Sequence, residues 1–291
     1  MRTHHSTRLI ATLILLALPA FADAEAEDQF FDSSGVEIRY KTWGVGEPIV
    51  LIHGFTLSIE GNWELPGVVE VLSQEFRVIA LDTRGHGKSG KPHDPAAYGS
   101  NMADDVVRLL DHLGIEKANV VGYSLGGFIT LDLVTRHPER LSAIVLGGAG
   151  WNEPSEGVPN DRLAESLESG EGLGPLFAAL TPEGQPQPSA EQMTAMSQFI
   201  LANNDPLALA AALRGMTGIA PSEEAVRSIE VPILAVVGEL DPLRAGVDRL
   251  HEVLPATKIV VLEGKDHMSA IADPALPRAI RAFLIDLCNC A

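Results

Sequence analysis

The sequence predicts an α/β fold built on a mostly parallel, doubly wound sheet. Short apolar runs typical of buried strands recur along the chain, at 48–52, 76–81, 118–121, 141–146, 232–237 and 258–262. Stretches with helical spacing lie between several of these runs, and this alternation is typical of parallel sheets. Polar or glycine-rich segments follow the ends of the runs, where open α/β sheets place their ligands.

Other elements follow from periodicity. Residues 35–42 alternate in polarity and predict a strand near the sheet edge. Residues 101–113 have helical spacing and carry on one side Val106, Leu109, Leu110 and Leu113. Helices are also expected at 125–135 and, as an amphipathic stretch, at 243–254.

The composition changes after Gly150. Residues 151–222 contain no clear strand, are rich in Pro, Gly, Glu and Ala, and have helical patches at 161–167, 190–202 and 206–216. We therefore predict one domain over 25–291, with a small helical cap inserted at about 151–222. Five large cap side chains are expected either to face a pocket or to pack on the core: Phe177, Met193, Met196, Phe199 and Met216.

The first residues predict a secretory signal peptide over 1–24. Two arginines precede an apolar core at 9–18, which is too short to span a bilayer comfortably. Cleavage is expected after Ala24 or Ala22. We therefore expect a secreted or periplasmic protein without stable membrane insertion after cleavage.

Composition limits the partners. The chain has 291 residues, of which 46% are hydrophobic, and a formal net charge of −18. Such a charge repels nucleic acid, so we expect no nucleic-acid partner. The charge says little about the substrate, which the motifs described below predict to be a small molecule. Of the two cysteines, Cys288 and Cys290, we expect only a frayed tail, since a metal site would lack further ligands nearby.

The candidate nucleophile is Ser124, in the pentapeptide Gly-Tyr-Ser-Leu-Gly at 122–126. The pentapeptide lies between a predicted strand and a predicted helix, so the hydroxyl is expected to stand out at a sharp corner. The flanking glycines are expected because the turn is tight and the helix must pass close to neighbouring strands.

A serine nucleophile needs a base and a group that orients it. His267 follows the predicted strand at 258–262, and Asp241 follows the one at 232–237, so both reach the same sheet edge as Ser124. We predict His267 as the base and Asp241 as its acid. The alternatives for the acid are Glu153, Glu239 and Asp266.

Acyl transfer also needs backbone N–H groups to stabilise an oxyanion. We expect these from Leu125, directly after the nucleophile, and from Phe55, in the loop after the strand at 48–52. His53 in that loop and His86 in a later glycine-rich turn are expected to be structural.

The motifs together resemble the α/β-hydrolase fold superfamily, in its order. The matching segments are His-Gly-Phe at 53–55, Asp-Thr-Arg-Gly-His-Gly-Lys-Ser at 82–89, Gly-Tyr-Ser-Leu-Gly-Gly at 122–127, Gly-Glu-Leu-Asp at 238–241 and Lys-Asp-His at 265–267. The resemblance spans about 31–287. It implies Ser124 as nucleophile, His267 as base and Asp241 as acid, the three residues that the local reasoning selects.

The expected activity is hydrolysis of small carboxylic esters through an acyl-enzyme, with no metal or organic cofactor. Small substrates are favoured because the cap has few aromatic residues. Related folds use the same triad to hydrolyse carbon–carbon bonds, to form peracids or to split cyanohydrins, and these alternatives stay open. A hydrolase-fold receptor with slow turnover is a further alternative. The sequence does not determine the oligomeric state.

Overall fold

The computed structural model describes residues 26–152, 160–216 and 219–290. Its strands are β1 (Gln29–Ser33), β2 (Val36–Trp43), β3 (Glu47–Ile52), β4 (Phe76–Leu81), β5 (Ala118–Tyr123), β6 (Leu141–Gly147), β7 (Ile233–Gly238) and β8 (Lys258–Leu262). They form one sheet in the order β1-β2-β4-β3-β5-β6-β7-β8. Only the pairs β1–β2 and β2–β4 are antiparallel, which confirms the mostly parallel sheet.

Helices lie between and after these strands. They are α1 (Val68–Leu72), α2 (Asn101–His112), α3 (Leu125–Arg136), α4 (Asn160–Glu168), α5 (Gly174–Leu180), α6 (Ala190–Leu201), α7 (Pro206–Gly215), α8 (Glu223–Arg227), α9 (Arg244–Val253), α10 (His267–Ile271) and α11 (Ala275–Cys290). One turn of π-helix, Glu60–Glu64, follows β3.

The sheet is buried on both faces, which explains its near-continuous apolar runs. Alternate residues of β3 show this directly. Val50 and Ile52 belong to the apolar cluster on one face, whereas Ile49 and Leu51 belong to the cluster on the other. The helices cover both faces, as a doubly wound fold requires.

Helices α4 to α7 lie in the predicted cap region, and α8 follows them before β7 begins. Helices α4 to α7 share a small apolar cluster of their own, made of Leu163, Ala164, Leu167, Leu173, Leu209, Ala210 and Leu213. The indole N–H of Trp151 donates to the carbonyl of Pro221 at 2.9 Å. This bond joins the two ends of the insertion where it leaves the sheet.

A buried ionic network stabilises the side of the sheet that contains β2 and β4. The Arg39 guanidinium contacts the carboxylates of Asp28, Glu60 and Asp82. Burial opposes the charge of Arg39, but hydrogen bonds to these carboxylates outweigh it and raise its pKa. Asp82 also accepts a hydrogen bond from the N–H of Ile59 at 2.8 Å, so the network holds the segment that follows β3.

The C-terminal residues differ from expectation. The frayed tail predicted around Cys288 is wrong, because α11 continues through Cys290, and Cys288 is an exposed free thiol. Among the described residues, none of the helices is both long and apolar enough to cross a membrane. The predicted signal peptide lies outside the described residues.

Candidate active site

Ser124 lies at the corner between β5 and α3. Its backbone has φ +53° and ψ −113°, a left-handed φ that is uncommon for a residue with a side chain. The N–H of Ser124 donates to the carbonyl of Gly147 on β6 at 2.8 Å. The corner is therefore a strained turn held by the sheet beside it.

The flanking glycines are required by space, as predicted. A Cβ atom on Gly122 would lie 2.1 Å from the carbonyl oxygen of Gly126. A Cβ atom on Gly126 would lie 2.0 Å from the carbonyl oxygen of Ile52 on β3. Both obstacles are backbone atoms, so no side-chain movement can relieve them.

The structure brings Ser124, His267 and Asp241 together at the carboxyl edge of the sheet. The Nε2 atom of His267 lies 3.0 Å from the Oγ atom of Ser124. Its Nδ1 atom lies 2.8 Å from Oδ2 of Asp241. The side chains of His267 and Asp241 are almost fully buried. Serine, imidazole and carboxylate thus form one continuous hydrogen-bonded chain.

Hydrogen bonds to main-chain groups hold the three catalytic candidates in place. The N–H of Leu243 donates to Oδ1 of Asp241 at 2.8 Å, so both carboxylate oxygens are engaged. The phenol of Tyr123 donates to the main-chain carbonyl of His267 at 2.5 Å, and burial raises the pKa of this phenol. Tyr123 therefore links the nucleophile strand directly to the residue that carries the imidazole.

Two of the alternative acids have hydrogen-bond partners other than His267. Asp266 caps α10 by accepting from the N–H and the hydroxyl of Ser269, and these bonds lower its pKa. Glu239 is exposed and accepts from the N–H of Gly264 at 2.8 Å. Glu153 lies outside the described residues.

The expected oxyanion donors lie on either side of Ser124. Leu125 is the first residue of α3, so its N–H has no acceptor within the helix. The Phe55 loop approaches from β3, since a Cβ atom on Gly54 would lie 3.4 Å from Cβ of Ser124. In the described part of the chain, the N–H of Phe55 has no hydrogen-bond partner. Both N–H groups are therefore available to an oxyanion.

Comparison with known proteins agrees with this geometry. The family model of the α/β hydrolase fold matches residues 47–272. The chain belongs to the α/β-hydrolase fold family. It is 28% identical to a putative 2-succinyl-6-hydroxy-2,4-cyclohexadiene-1-carboxylate synthase of Bacillus subtilis (strain 168), over 79% of this chain and 87% of that protein.

Two further relatives of this α/β hydrolase differ in chemistry. A 2-hydroxy-6-oxo-6-(2'-aminophenyl)hexa-2,4-dienoic acid hydrolase of Metapseudomonas resinovorans is 30% identical over 74% of each chain. The solved structure of a thermophilic esterase from Thermogutta terrifontis superposes with a TM-score of 0.74 at 27% identity, over 90% of this chain and 99% of that one. The comparisons therefore show the family, whose members cleave different bonds.

The two other histidines near the site are structural. The N–H of Thr83 donates to Nε2 of His53 at 3.0 Å, so the proton of that ring is on Nδ1, which donates to the carbonyl of Gly54 at 2.8 Å. Burial lowers the pKa of His53, and it lowers that of His86 to about 3. Both rings are therefore neutral and anchor loops.

A cavity of about 1170 Å³ opens above Ser124. Core and cap both line it, and most of its wall is apolar, with Phe128, Leu131, Trp151, Leu176, Met193, Met216 and Ile219 among the lining residues. Of the five cap side chains singled out from the sequence, Met193 and Met216 line the cavity, and Phe177 packs against the cap cluster. Met196 and Phe199 are exposed.

Some contributors escaped the sequence reasoning. Tyr123 lies inside the nucleophile motif, but nothing in the motif indicates that its hydroxyl reaches His267. Trp151 and Phe128 line the cavity without any sequence signal beyond hydrophobicity. Within the described ranges, no group of three or more His, Cys, Asp or Glu side chains is arranged to hold a metal ion.

Proposed function

We propose that this α/β hydrolase cleaves carboxylic esters through an acyl-enzyme. One observation carries the proposal: the hydrogen-bonded chain from Asp241 through His267 ends on the hydroxyl of Ser124, in the wall of an apolar cavity. The similarity to an esterase of known structure supports it.

In the proposed mechanism, Oγ of Ser124 attacks the ester carbonyl carbon while Nε2 of His267 takes the hydroxyl proton. Asp241 holds the imidazole by Nδ1 and stabilises its charged form. The N–H groups of Phe55 and Leu125 stabilise the oxyanion of the tetrahedral intermediate. When the carbon–oxygen bond to the alcohol breaks, His267 returns the proton to the leaving alcohol.

The second half of the cycle repeats these steps with water. His267 takes a proton from water, whose oxygen attacks the acyl carbon. The tetrahedral intermediate then releases the carboxylic acid, and the proton returns to Ser124. This route needs no metal or organic cofactor.

The cavity bears on the size of the substrate. At about 1170 Å³ its volume lies somewhat above the range of about 300–1,000 Å³ that is usual for ligand pockets. The few aromatic residues of the cap favour small esters, but this volume leaves much of the cavity empty around an acetate. We therefore propose that the enzyme accepts larger apolar esters, with an optimum beyond the shortest acyl chains.

A second candidate is hydrolysis of a carbon–carbon bond in a dienoic acid. The similarity to the dienoic acid hydrolase of Metapseudomonas resinovorans favours it, and the same serine, histidine and aspartate would serve. Peracid formation and cyanohydrin cleavage would also use this triad. The bond that is cleaved therefore has to be found by assay.

The deciding experiment is steady-state hydrolysis of p-nitrophenyl esters from acetate to decanoate by the wild type and by Ser124→Ala. Multiple turnovers that fall by about ten-thousandfold or more in the variant support the proposal. A folded wild type that hydrolyses no ester but cleaves a 2-hydroxy-6-oxo-dienoate favours the second candidate. A single turnover with slow release would instead favour a receptor.

We also propose that the enzyme acts outside the cytoplasm, since residues 1–24 have the pattern of a secretory signal. Expression in a bacterial host with and without these residues tests this. The proposal expects the full chain in the periplasm, shortened at Ala22 or Ala24, and the truncated chain in the cytoplasm. An unshortened cytoplasmic full chain would contradict it.

A further inference from the structure

Three hydrogen bonds at Gly54 hold the start of the loop that carries Phe55. The N–H of Gly54 donates to Oδ1 of the buried Asn62 at 2.8 Å. The carbonyl of Gly54 accepts from Nδ1 of His53, also at 2.8 Å. The N–H of Leu57 also donates to the carbonyl of Gly54, at 3.2 Å, and closes a turn around Phe55 and Thr56. In the described part of the chain, neither of these two residues has a polar contact from the core sheet.

The cap holds the other side of the loop. Nδ2 of Asn204, in the connection between α6 and α7, donates to the carbonyl of Thr56 at 3.1 Å. The same nitrogen donates to the carbonyl of Ile200 at 2.9 Å, which anchors the amide to the end of α6. The side chain of Phe55 packs against the apolar cluster of the cap. The cap therefore contacts Phe55 and Thr56 directly.

Thr56 is the strained residue of this loop. Its φ is +64°, although its side chain is β-branched. For such a residue the left-handed conformation is a genuine outlier, because its Cβ substituents crowd the backbone there. The bond from Leu57 to Gly54 closes the turn at 3.2 Å, and without the additional bond from Asn204 the turn would open more readily and Thr56 would tend to return to negative φ. That change would rotate the peptide planes beside it and would move the loop in which the N–H of Phe55 must point at Ser124.

We propose that Asn204 is a positioning residue for the oxyanion hole. Its hydrogen bond to Thr56 adds to the main-chain bond of the turn in keeping the strained conformation, and it makes the direction of the Phe55 N–H depend on the position of the cap. The cap then does more than enclose the substrate, because its position relative to the Phe55 loop affects how well the oxyanion of the transition state is stabilised. This inference rests on the proposed serine mechanism.

The test uses Asn204→Ala and the isosteric Asn204→Asp, whose carboxylate cannot donate to Thr56. Asn203→Ala is the matched control, because Asn203 is the exposed neighbour of the same type. Two quantities are measured. The first is the split between kcat and KM for the best p-nitrophenyl ester. The second is the rate at which a fluorophosphonate probe labels Ser124.

Labelling depends on the oxyanion hole but not on the natural substrate. The oxygen of Ser124 bonds to phosphorus, the phosphorus–fluorine bond breaks, fluoride leaves, and His267 takes the hydroxyl proton. The phosphoryl oxygen occupies the oxyanion hole during this step. A wild type that is labelled but hydrolyses no ester would contradict the ester proposal alone, and the labelling rates would still test Asn204.

We expect kcat and the labelling rate to fall about tenfold in both Asn204 variants, less than the loss of a whole oxyanion donor, with KM nearly unchanged. Asn203→Ala should match the wild type. Circular dichroism and thermal melting verify folding, and Asn204→Asp serves if Asn204→Ala does not fold. Labelling at the wild-type rate in a folded Asn204 variant would overturn the inference, as would a rise in KM at unchanged kcat. A wild type that is not labelled would overturn both proposals.

Discussion

The sheet edge around Ser124 and the cap above it are held by different kinds of contact. At the sheet edge, main-chain groups of neighbouring strands hold the reacting side chains, and Gly126 has no room for even a methyl group. The cap has a small apolar cluster, and its surface leaves Phe199 80% exposed and Met196 44% exposed. Its polar ties to the core include the bonds of Trp151 and Asn204.

The difference indicates that the sheet edge serves the chemistry and the cap serves substrate selection. The catalytic residues depend on positions that several main-chain contacts hold at once, and we expect most substitutions at those positions to lower stability or activity. Substrate selection depends on a cavity wall whose cap side includes few main-chain contacts to the sheet, so we expect substitutions there to be better tolerated. Matched substitutions in the two regions test this difference.

The largest effect is expected at the sheet edge, from Asp241→Asn. An amide there orients the imidazole in the wrong tautomer, and we expect kcat to fall about ten-thousandfold. Asp266→Asn is the control, since Asp266 only caps α10, and should change kcat by less than about threefold. Steady-state kinetics of both variants decide the matter, and equal losses would contradict the assignment of the acid.

The next effect compares two glycines. Gly126→Ala places a Cβ atom 2.0 Å from a backbone oxygen, and we expect destabilisation of about 3 kcal/mol or more. Gly184→Ala in the cap meets no atom within 4 Å and bears only the cost of its φ of +78°, about 1 kcal/mol. Urea unfolding measures both free energies. Similar values would show that the two regions are equally tolerant.

Acid should destabilise the protein through the core. The pKa of the buried His86 is lowered from 6.5 to about 3, so the unfolded chain binds its proton first. Stability from this group is complete above pH 6.5 and is lost as the pH falls towards 3. The cap region 151–222 contains no histidine.

Urea unfolding from pH 7.5 down to pH 4 tests this. His86→Asn should weaken the pH dependence in that window, because one proton-linked group is gone. At pH 7.5 both proteins lack the proton, so the difference there reports packing alone. An unchanged slope below pH 6.5 would show that His86 does not contribute.

A smaller effect is expected from Tyr123→Phe, which removes only the hydrogen bond to the carbonyl of His267. The ring stays in place, so we expect about 1 kcal/mol of lost stability and about tenfold lower kcat from a less well placed imidazole. Thermal melting and kcat for one ester measure the two effects. A variant with wild-type kcat would show that Asp241 positions the imidazole without help.

The smallest effects are expected on α6 of the cap. Met193→Ala enlarges the cavity and should shift the preferred acyl chain towards longer esters, with a change in KM of a few fold. Phe199→Ser, on the same helix but facing solvent, should leave the chain-length profile unchanged. The ester series measures both. A shifted profile in Phe199→Ser would show that the outer face of the cap also meets the substrate.

The sequence by itself was sufficient for the parallel core. Buried strands of a doubly wound sheet are continuous apolar runs, so β3 to β8 were recognisable without neighbours. β1 was missed, because this short edge strand buries only two of its five residues and has no such run. Helix α5 was missed because its seven residues are too few to show a helical period.

The sequence also determined which serine, histidine and aspartate meet, because strand ends of a parallel sheet share one edge and the three residues follow such ends. The other contacts of the site depend on tertiary packing. The contact of Tyr123 with His267 joins residues 144 positions apart, and that of Asn204 with Thr56 joins residues 148 apart. The cavity volume depends on how the cap helices pack above the sheet. Such contacts leave no local pattern, because each depends on where two separately folded segments come to rest.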